Sequence, residues 1–566
     1  MDSNHPSQPR LVEAGREALT RGAWEEARSA FERSLYAGDR DAAGHSSLAV
    51  DDPEGSAELL AGLAEALWWL GEIRESLDCW ERAYSGFRQR PDPVQAALVA
   101  IQLGMLYDAN LGNHAAAAGW VARAARLVDE HALEPLRGWV LIARAVDTSD
   151  PGQHEAWARE AHQLGRATGD RDLELCALTQ IGVALIDQGR ITEGVAFHDE
   201  AMAGALAGEG QLDTVVFASC EMMTSYSRCA QYGRMAQWIK AADRFVERYG
   251  CPYLNASCRT HYGEVLFATG DWARAEEELR AALRLSEHSL PAVRAKALAR
   301  LAELRLAQGR FEEAERLLAG FEDHEASAPA CTRIYLTQGR FALAAATARR
   351  WLGLVGENRL ESAPLLELLG EAEIHQAQVE AAAERGRALA ELGSTLGCQV
   401  MLARGERLRG QALAAASDPA ANQHLDAALR EFARLEISFE AARTRLLLAR
   451  ALRDLSPEVA EAEARAALAV FEKLGANIEA EAATTVLREI EAEIRKRAGK
   501  TPAAGLTQRE AEVLRLVAQG LGDKEIATEL VLSRHTVHRH IHSILTKLGL
   551  PSRAAAAAYA ARNGLL

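Results

Sequence analysis

Apolar residues recur every three or four positions along most of the chain, and glycines interrupt them at a regular spacing. The stretch GDWARAEEELRAAL shows the frame best: Gly270, then Trp272 at +2, Ala275 at +5, Leu279 at +9 and Ala282 at +12. The same frame reads Gly22–Trp24–Ala27–Phe31, Gly71–Ile73–Ser76–Trp80–Ala83, Gly309–Phe311–Ala314–Leu318 and Gly339–Phe341–Ala344–Ala348. Weaker copies centre on Gly112, Gly152, Gly189 and Gly233, and Gly22 to Gly339 is 317 residues in eight intervals, a mean near 40. Each copy predicts a helical hairpin. The glycine ends one helix where a left-handed or tight conformation is needed. The +2 and +9 residues face the partner helix, and a small +5 residue lets the two helices approach closely. One hairpin cannot bury its apolar face alone, so the hairpins are expected to stack into a solenoid.

This frame resembles the tetratricopeptide repeat, whose period is ~34 residues, in a longer and more irregular form. A generic helical bundle is the alternative. The polar stretch Gly38–Ser56 reads as a loop between hairpins. After Gly339 the glycine signal fades, although helix-rich sequence continues to about Arg497. The run Arg495–Gly505 (RKRAGKTPAAG) is charged, then rich in Pro, Gly and Ala, and reads as a linker. The expected division is a tetratricopeptide-like α-solenoid over 1–494, a linker over 495–505 and a C-terminal domain over 506–566. A solenoid offers a concave surface to a peptide, a small molecule or a protein partner, but nothing in the sequence singles out its lining residues.

The last sixty residues carry denser information. Thr507 with Glu510 three residues later forms a capping box that opens a helix running to about Gln519, where Gly520 ends it. A second short helix is expected over Asp523–Leu530, with Ile526, Ala527 and Leu530 inward. Ser533 caps a third from Arg534 to about Leu548, and a fourth starts near Arg553. Two helices, a tight turn and a third amphipathic helix form a helix-turn-helix. At ~100° per residue from Val537, residues Ile541, Ile544 and Leu548 form one apolar stripe. His535, His538, Arg539, His542 and Thr546 fall on the opposite face, with His540 at the margin of the stripe. That helix contains no acid. Arg can donate two bonds to guanine, and Thr or His can reach base edges or phosphate.

The residues Leu506-Thr507, Arg509-Glu510, Glu512-Val513-Leu514, Gly520-Leu521, Lys524-Glu525-Ile526-Ala527, Ser533, Thr536-Val537, His540, Ile544, Lys547-Leu548 and Ser552-Arg553 carry a family resemblance. The segment resembles the LuxR-type (GerE-type) DNA-binding domain. The resemblance implies that the third helix enters the major groove, the second contacts phosphate, and the fourth helps form a homodimer. The implied DNA-contacting set is Lys524, at phosphate, with Arg534, His535, Thr536, His538, Arg539, His542 and Lys547; His540 is implied to be structural. Gly522 departs from the usual Ser or Thr cap. His538 stands where Lys is common. Helical repeats followed by such a domain are similar to the MalT-like and large ATP-binding LuxR regulators. Their ATP-binding domain is not expected here. The only Gly-Lys-Thr, at Gly499–Thr501, has Ile494 where a phosphate loop needs its first glycine, and no strand precedes it.

Composition supports this picture and narrows it. Straight-chain helix formers dominate, aromatics are 6% and prolines number 15, so an all-α chain is expected. No run of ~18 apolar residues predicts a membrane span. The eight cysteines are scattered, and the nearest to a group, Cys220, Cys229, Cys251 and Cys258, has no CxxC pair. They read as reduced thiols of a cytoplasmic protein rather than as metal ligands. His538 and His542 could share a metal only with a third ligand that the sequence does not specify. No catalytic motif is present, and neither an enzymatic activity nor a cofactor is expected. The net charge of −16 divides into −19 over residues 1–500 and +3 over the remainder. An acidic body with a basic end is expected to meet promoter or operator DNA through that end. The function implied is a bacterial transcription regulator, with RNA polymerase a candidate partner and the body sensing a ligand or protein. The other reading is an interaction scaffold whose DNA contact is incidental.

Overall fold

The computed structural model describes residues 8–36, 53–89, 92–287, 290–357, 359–498 and 505–563, and all its regular structure is helical. The first helices are α1 (Gln8–Arg21), α2 (Trp24–Tyr36), α3 (Pro53–Leu70), α4 (Ile73–Gln89), α5 (Pro93–Ala109), α6 (His114–Glu130), α7 (Glu134–Asp147) and α8 (Pro151–Thr168). There follow α9 (Arg171–Asp187), α10 (Ile191–Leu206), α11 (Leu212–Arg228), α12 (Tyr232–Tyr249), α13 (Pro252–Thr269), α14 (Trp272–Leu285), α15 (Pro291–Ala307) and α16 (Phe311–Leu318). Next come α17 (Ala328–Thr337), α18 (Phe341–Val355), α19 (Ala363–His375), α20 (Val379–Thr395), α21 (Gln399–Ala415), α22 (Ala421–Arg434), α23 (Ser438–Leu452), α24 (Pro457–Leu474) and α25 (Asn477–Ala498). The last four are α26 (Gln508–Ala518), α27 (Asp523–Glu529), α28 (Arg534–Leu548) and α29 (Arg553–Arg562). No described helix is long and apolar enough to cross a membrane.

The hairpin frame has the packing its chemistry requires. Gly22, Gly71, Gly112, Gly189, Gly270, Gly309 and Gly339 all take positive φ, between 66° and 97°. The residues at +5, Ala27, Ser76, Ala275, Ala314 and Ala344, are buried without residual exposure. Phe31, at +9 of the first copy, shows why small residues are also needed on the partner helices. Its ring lies where a Cβ at Gly15 or Gly62 would sit, so one aromatic fills the space between α1 and α3. In the α20–α21 hairpin the backbones themselves touch: a Cβ at Gly393 or Gly405 would overlap the main-chain nitrogen of Leu402 or Ala390.

Two of the weak copies are misplaced. Gly152 and Gly233 lie inside the first turns of α8 and α12. The left-handed residue before α12 is Ala230, at φ 55°. Beyond Gly339 the helical hairpins continue: Gly356, Gly397 and Gly475 still take positive φ, while Ala377 (59°), Ser417 (59°) and Glu436 (58°) make the same turn without a glycine. Of the expected loop Gly38–Ser56, Pro53–Ser56 already belong to α3, and residues 38–52 lie outside the described residues. The expected linker begins inside α25, and residues 499–504 lie outside the description.

Two compact units divide the chain: Met1–Val265 with Ala275–Arg300, and Leu266–Arg274 with Leu301–Leu566. In the first, α7, α8 and α9 share a core of Leu141, Ile142, Ala161, Leu173 and Ala177. The Trp24 indole stacks on Trp69 at 4.3 Å and donates to the Tyr249 carbonyl at 2.6 Å, so α2 meets α12 across 225 residues of sequence. In the second, α15, α16 and α17 bury Ala302, Leu306, Ala314, Leu318 and Ile334 together. Deeper in that unit Arg407 and Glu367, neither with any exposure, pair at 2.6 Å between α21 and α19.

Candidate nucleic-acid interface

The C-terminal helices are set by local chemistry. Thr507 Oγ1 accepts from the Glu510 N–H at 3.2 Å while the Thr507 N–H donates to Glu510 Oε2 at 2.8 Å, the reciprocal capping box. Glu510 is fully buried and also accepts from Ser543 Oγ (2.6 Å) and Lys547 Nζ (2.7 Å), which fastens α26 to α28. Burial alone would raise its pKa; the bonds from Lys547, Ser543 and the Thr507 N–H outweigh burial and hold it below the usual carboxylate value. At α27 the cap Gly522 has no side chain to offer, and its N–H instead donates to Glu525 Oε2 at 2.6 Å. Arg553, at the start of α29, donates to the Leu521 carbonyl at 2.6 Å and pairs with Asp523, tying α29 to α27. The connection between α27 and α28 contains Val531 at φ 52°, a strained geometry for a β-branched residue that the sequence does not reveal.

Ser533 Oγ accepts from the Thr536 N–H at 3.0 Å and starts α28 where the sequence places it. Val537, Ile541 and Ile544 are buried, in keeping with the expected stripe. Lys524, Arg534, His535, His538, His542 and Thr546 are exposed; the His538 side chain is 74% exposed, with its Nδ1 3.9 Å from Asp523. Three of the candidate DNA residues are engaged within the protein. Thr536 is buried, its hydroxyl 2.9 Å from Ser533 Oγ. Lys547 is held by Glu510. Arg539 pairs with Glu463, a fully buried carboxylate of α24 that also accepts from Arg445 Nη1 at 2.7 Å.

Further contacts join the two ends of this unit. His540 is 1% exposed, and its Nε2 lies 2.7 Å from Oγ of Ser456, the residue preceding α24. Asp426 of α22 is buried and interacts with Ser533 and His535. Burial raises the Asp426 pKa, against the pull of Arg430, His535 and the Ser533 bond. His535 is lowered by desolvation and then by Arg539, against Asp426 and Glu463. Sequence reasoning missed Asp426, Ser456 and Glu463, which lie tens of residues from α28. The only signal was the opposite charge of the body and the basic end. Among the described residues no group of three or more His, Cys, Asp or Glu side chains could hold a metal ion, and His538 and His542 gain no third ligand.

Burial also gives His540 a pH signature. Desolvation, the dominant effect, lowers its pKa from 6.5 to about 4, outweighing the attraction of Glu510. The unfolded chain therefore binds the proton more readily than the folded one. The stabilisation is complete above pH 6.5 and is lost as pH falls toward 4. Between pH 7 and 5.5 the local opening free energy of α28 should fall by about 1 kcal/mol through this residue. Amide exchange in wild type and His540→Gln checks this: the variant should lack that share of the pH dependence, and an unchanged dependence would assign it elsewhere.

The family described as bacterial regulatory proteins, luxR family, matches residues 504–560. Transcriptional regulatory protein LiaR of Bacillus subtilis (strain 168) is 48% identical over 65 residues, 12% of this chain and 31% of that protein. Oxygen regulatory protein NreC of Staphylococcus aureus (strain JH9) is 48% identical over 61 residues, 11% of this chain and 28% of that protein. The chain thus spans less than a third of the length of either relative. Among solved structures, the APC/C hetero-tetramer Cut9–Hcn1 aligns over 84% of this chain and 96% of that one, at 13% identity and a TM-score of 0.44. With its capping box, its helix-turn-helix order and this match, the C-terminal segment is a DNA-binding helix-turn-helix domain of the luxR family of bacterial regulatory proteins.

Proposed function

We propose that the chain is a sequence-specific transcription regulator in which α28 reads the major groove. The observation that carries this reading is one solvent face bearing Arg534, His535, His538 and His542, with Lys524 exposed on the adjoining α27, on a helix without acids. Arg539 on the same helix would supply the bidentate contact to guanine. Lys524 would hold phosphate, and α29, whose Ala-rich sequence permits close approach, would pair two copies on a repeated site. Residues 1–494 would form the tetratricopeptide-like sensor for a ligand or protein, joined through 495–505 to the reading domain at 506–566. RNA polymerase would be the partner that the bound regulator contacts.

Selection from a random duplex pool by the full chain tests this. One short motif should be enriched, and its affinity should fall log-linearly with salt as phosphate contacts are screened. Lys524→Ala should weaken binding to every sequence alike and reduce the salt slope by about one. A pool that returns no motif favours the scaffold reading.

A further inference from the structure

We propose that helices α22–α24 at the end of the body form a docking surface for the reading helix, and that DNA and this surface compete for the same residues of α28. The inference rests on the reading of α28 as the DNA-contacting helix and adds what controls it. Three body helices contribute. Glu463 of α24 takes the Arg539 guanidinium, with Arg445 of α23 as its second cation. Ser456, fully buried ahead of α24, meets His540 Nε2 at 2.7 Å. Asp426 of α22 is buried and interacts electrostatically with Ser533 and His535, where α28 begins.

Of these contacts, the one at Arg539 and the charge facing His535 take the place of DNA acceptors, while the one at His540 anchors the helix. An arginine whose guanidinium is committed to a buried carboxylate cannot present two donors to a guanine edge. A carboxylate at the first turn of a helix sits at its positive end, where a phosphate would also be favoured. Asp426 and Glu463 therefore stand in for DNA. The major groove admits a helix only when its flanks are clear, and here Glu463 and Ser456, on and just before α24, hold α28 at Arg539 and His540. The release of α28 leaves Glu463 with Arg445 alone, so docking and DNA binding are opposed states of one arginine. A ligand that favours the free state of the body would shift the balance toward DNA.

The full-length wild type, Glu463→Gln, Asp426→Asn, Ser456→Ala and Glu472→Gln would be compared on the duplex enriched by selection, with amide exchange of α28 measured in each. Glu472 is exposed on the same α24 and controls for the loss of one negative charge. The expected result is that Glu463→Gln and Asp426→Asn bind the duplex at least tenfold more tightly than wild type, with the preferred sequence unchanged and faster exchange in α28. Glu472→Gln should stay within twofold of wild type. The proposal is overturned if wild type binds the motif and the three contact variants bind no better than Glu472→Gln. If no protein enriches a motif while exchange in α28 still rises in the contact variants, docking stands and the DNA reading fails. Should Glu463→Gln fail to fold, Asp426→Asn and Ser456→Ala decide the matter by the same criteria.

Discussion

Replacing Arg407 by alanine is expected to cost about 3–5 kcal/mol, the largest single loss of stability in the second unit. Arg407 is fully buried on α21. Its Nε and Nη2 lie 2.7 and 2.6 Å from Glu367 Oε1, it pairs also with Glu440, and its guanidinium sits 4.7 Å from the Phe432 ring centroid. Arg404 holds the other oxygen of Glu367 at 2.6 Å, and Arg443 pairs with Glu440 at 3.1 Å. Burial works against the Glu440 carboxylate, yet Arg407, Arg443 and Arg404 together hold its pKa far below the usual value. Removal of Arg407 leaves the buried Glu367 and the partly exposed Glu440 each short of a cation, and opens a cavity beside Phe432. Chemical denaturation of the full chain should show an early transition in α19–α24, the helices that carry or border this network. Combining Arg407→Met with Glu367→Leu should recover part of the loss, since apolar packing removes the desolvation penalty along with the pair. A loss below about 1 kcal/mol for Arg407→Ala would mean that the network contributes little.

The second large effect concerns Arg539. Arg539→Ala should relax base preference at one position of the site by about 1–3 kcal/mol, the worth of one bidentate contact. In the full chain the substitution also removes the pairing with Glu463, so affinity alone mixes two losses of opposite consequence. The ratio between the preferred duplex and duplexes changed at single positions is free of that mixing. Competition binding should show flattened discrimination at one or two adjacent base pairs and unchanged discrimination elsewhere. Discrimination retained in full would mean that α28 presents a different face to the groove.

The parts of this structure that were legible in the sequence are those set by local chemistry. Thr507 with Glu510, Ser533 before Arg534 and the positive-φ Gly520 mark helix ends through bonds that span three or four residues, and α26 and α28 lie where those signals place them. The hairpins from Gly22 to Gly339 were legible for the same reason wherever glycine relieves a left-handed turn. Where Ala377, Ser417 and Glu436 make the turn instead, the sequence carries no mark. Gly152 and Gly233 misled because a glycine within a first helical turn matches the spacing without supplying the turn. The pairing of Arg539 with Glu463 and of His540 with Ser456 spans 76 and 84 positions and depends on the stacking of whole helices. The sequence offered only the contrast of −19 in the body and +3 at the end, a sign without an address.

Footprinting of the full-length protein on a selected duplex across a salt series tests the central claim most directly. The account predicts protection of one short segment, lost log-linearly as salt rises, with Glu463→Gln protecting the same segment at lower protein concentration. Uniform protection along the duplex, or none by either protein at any salt, would contradict it.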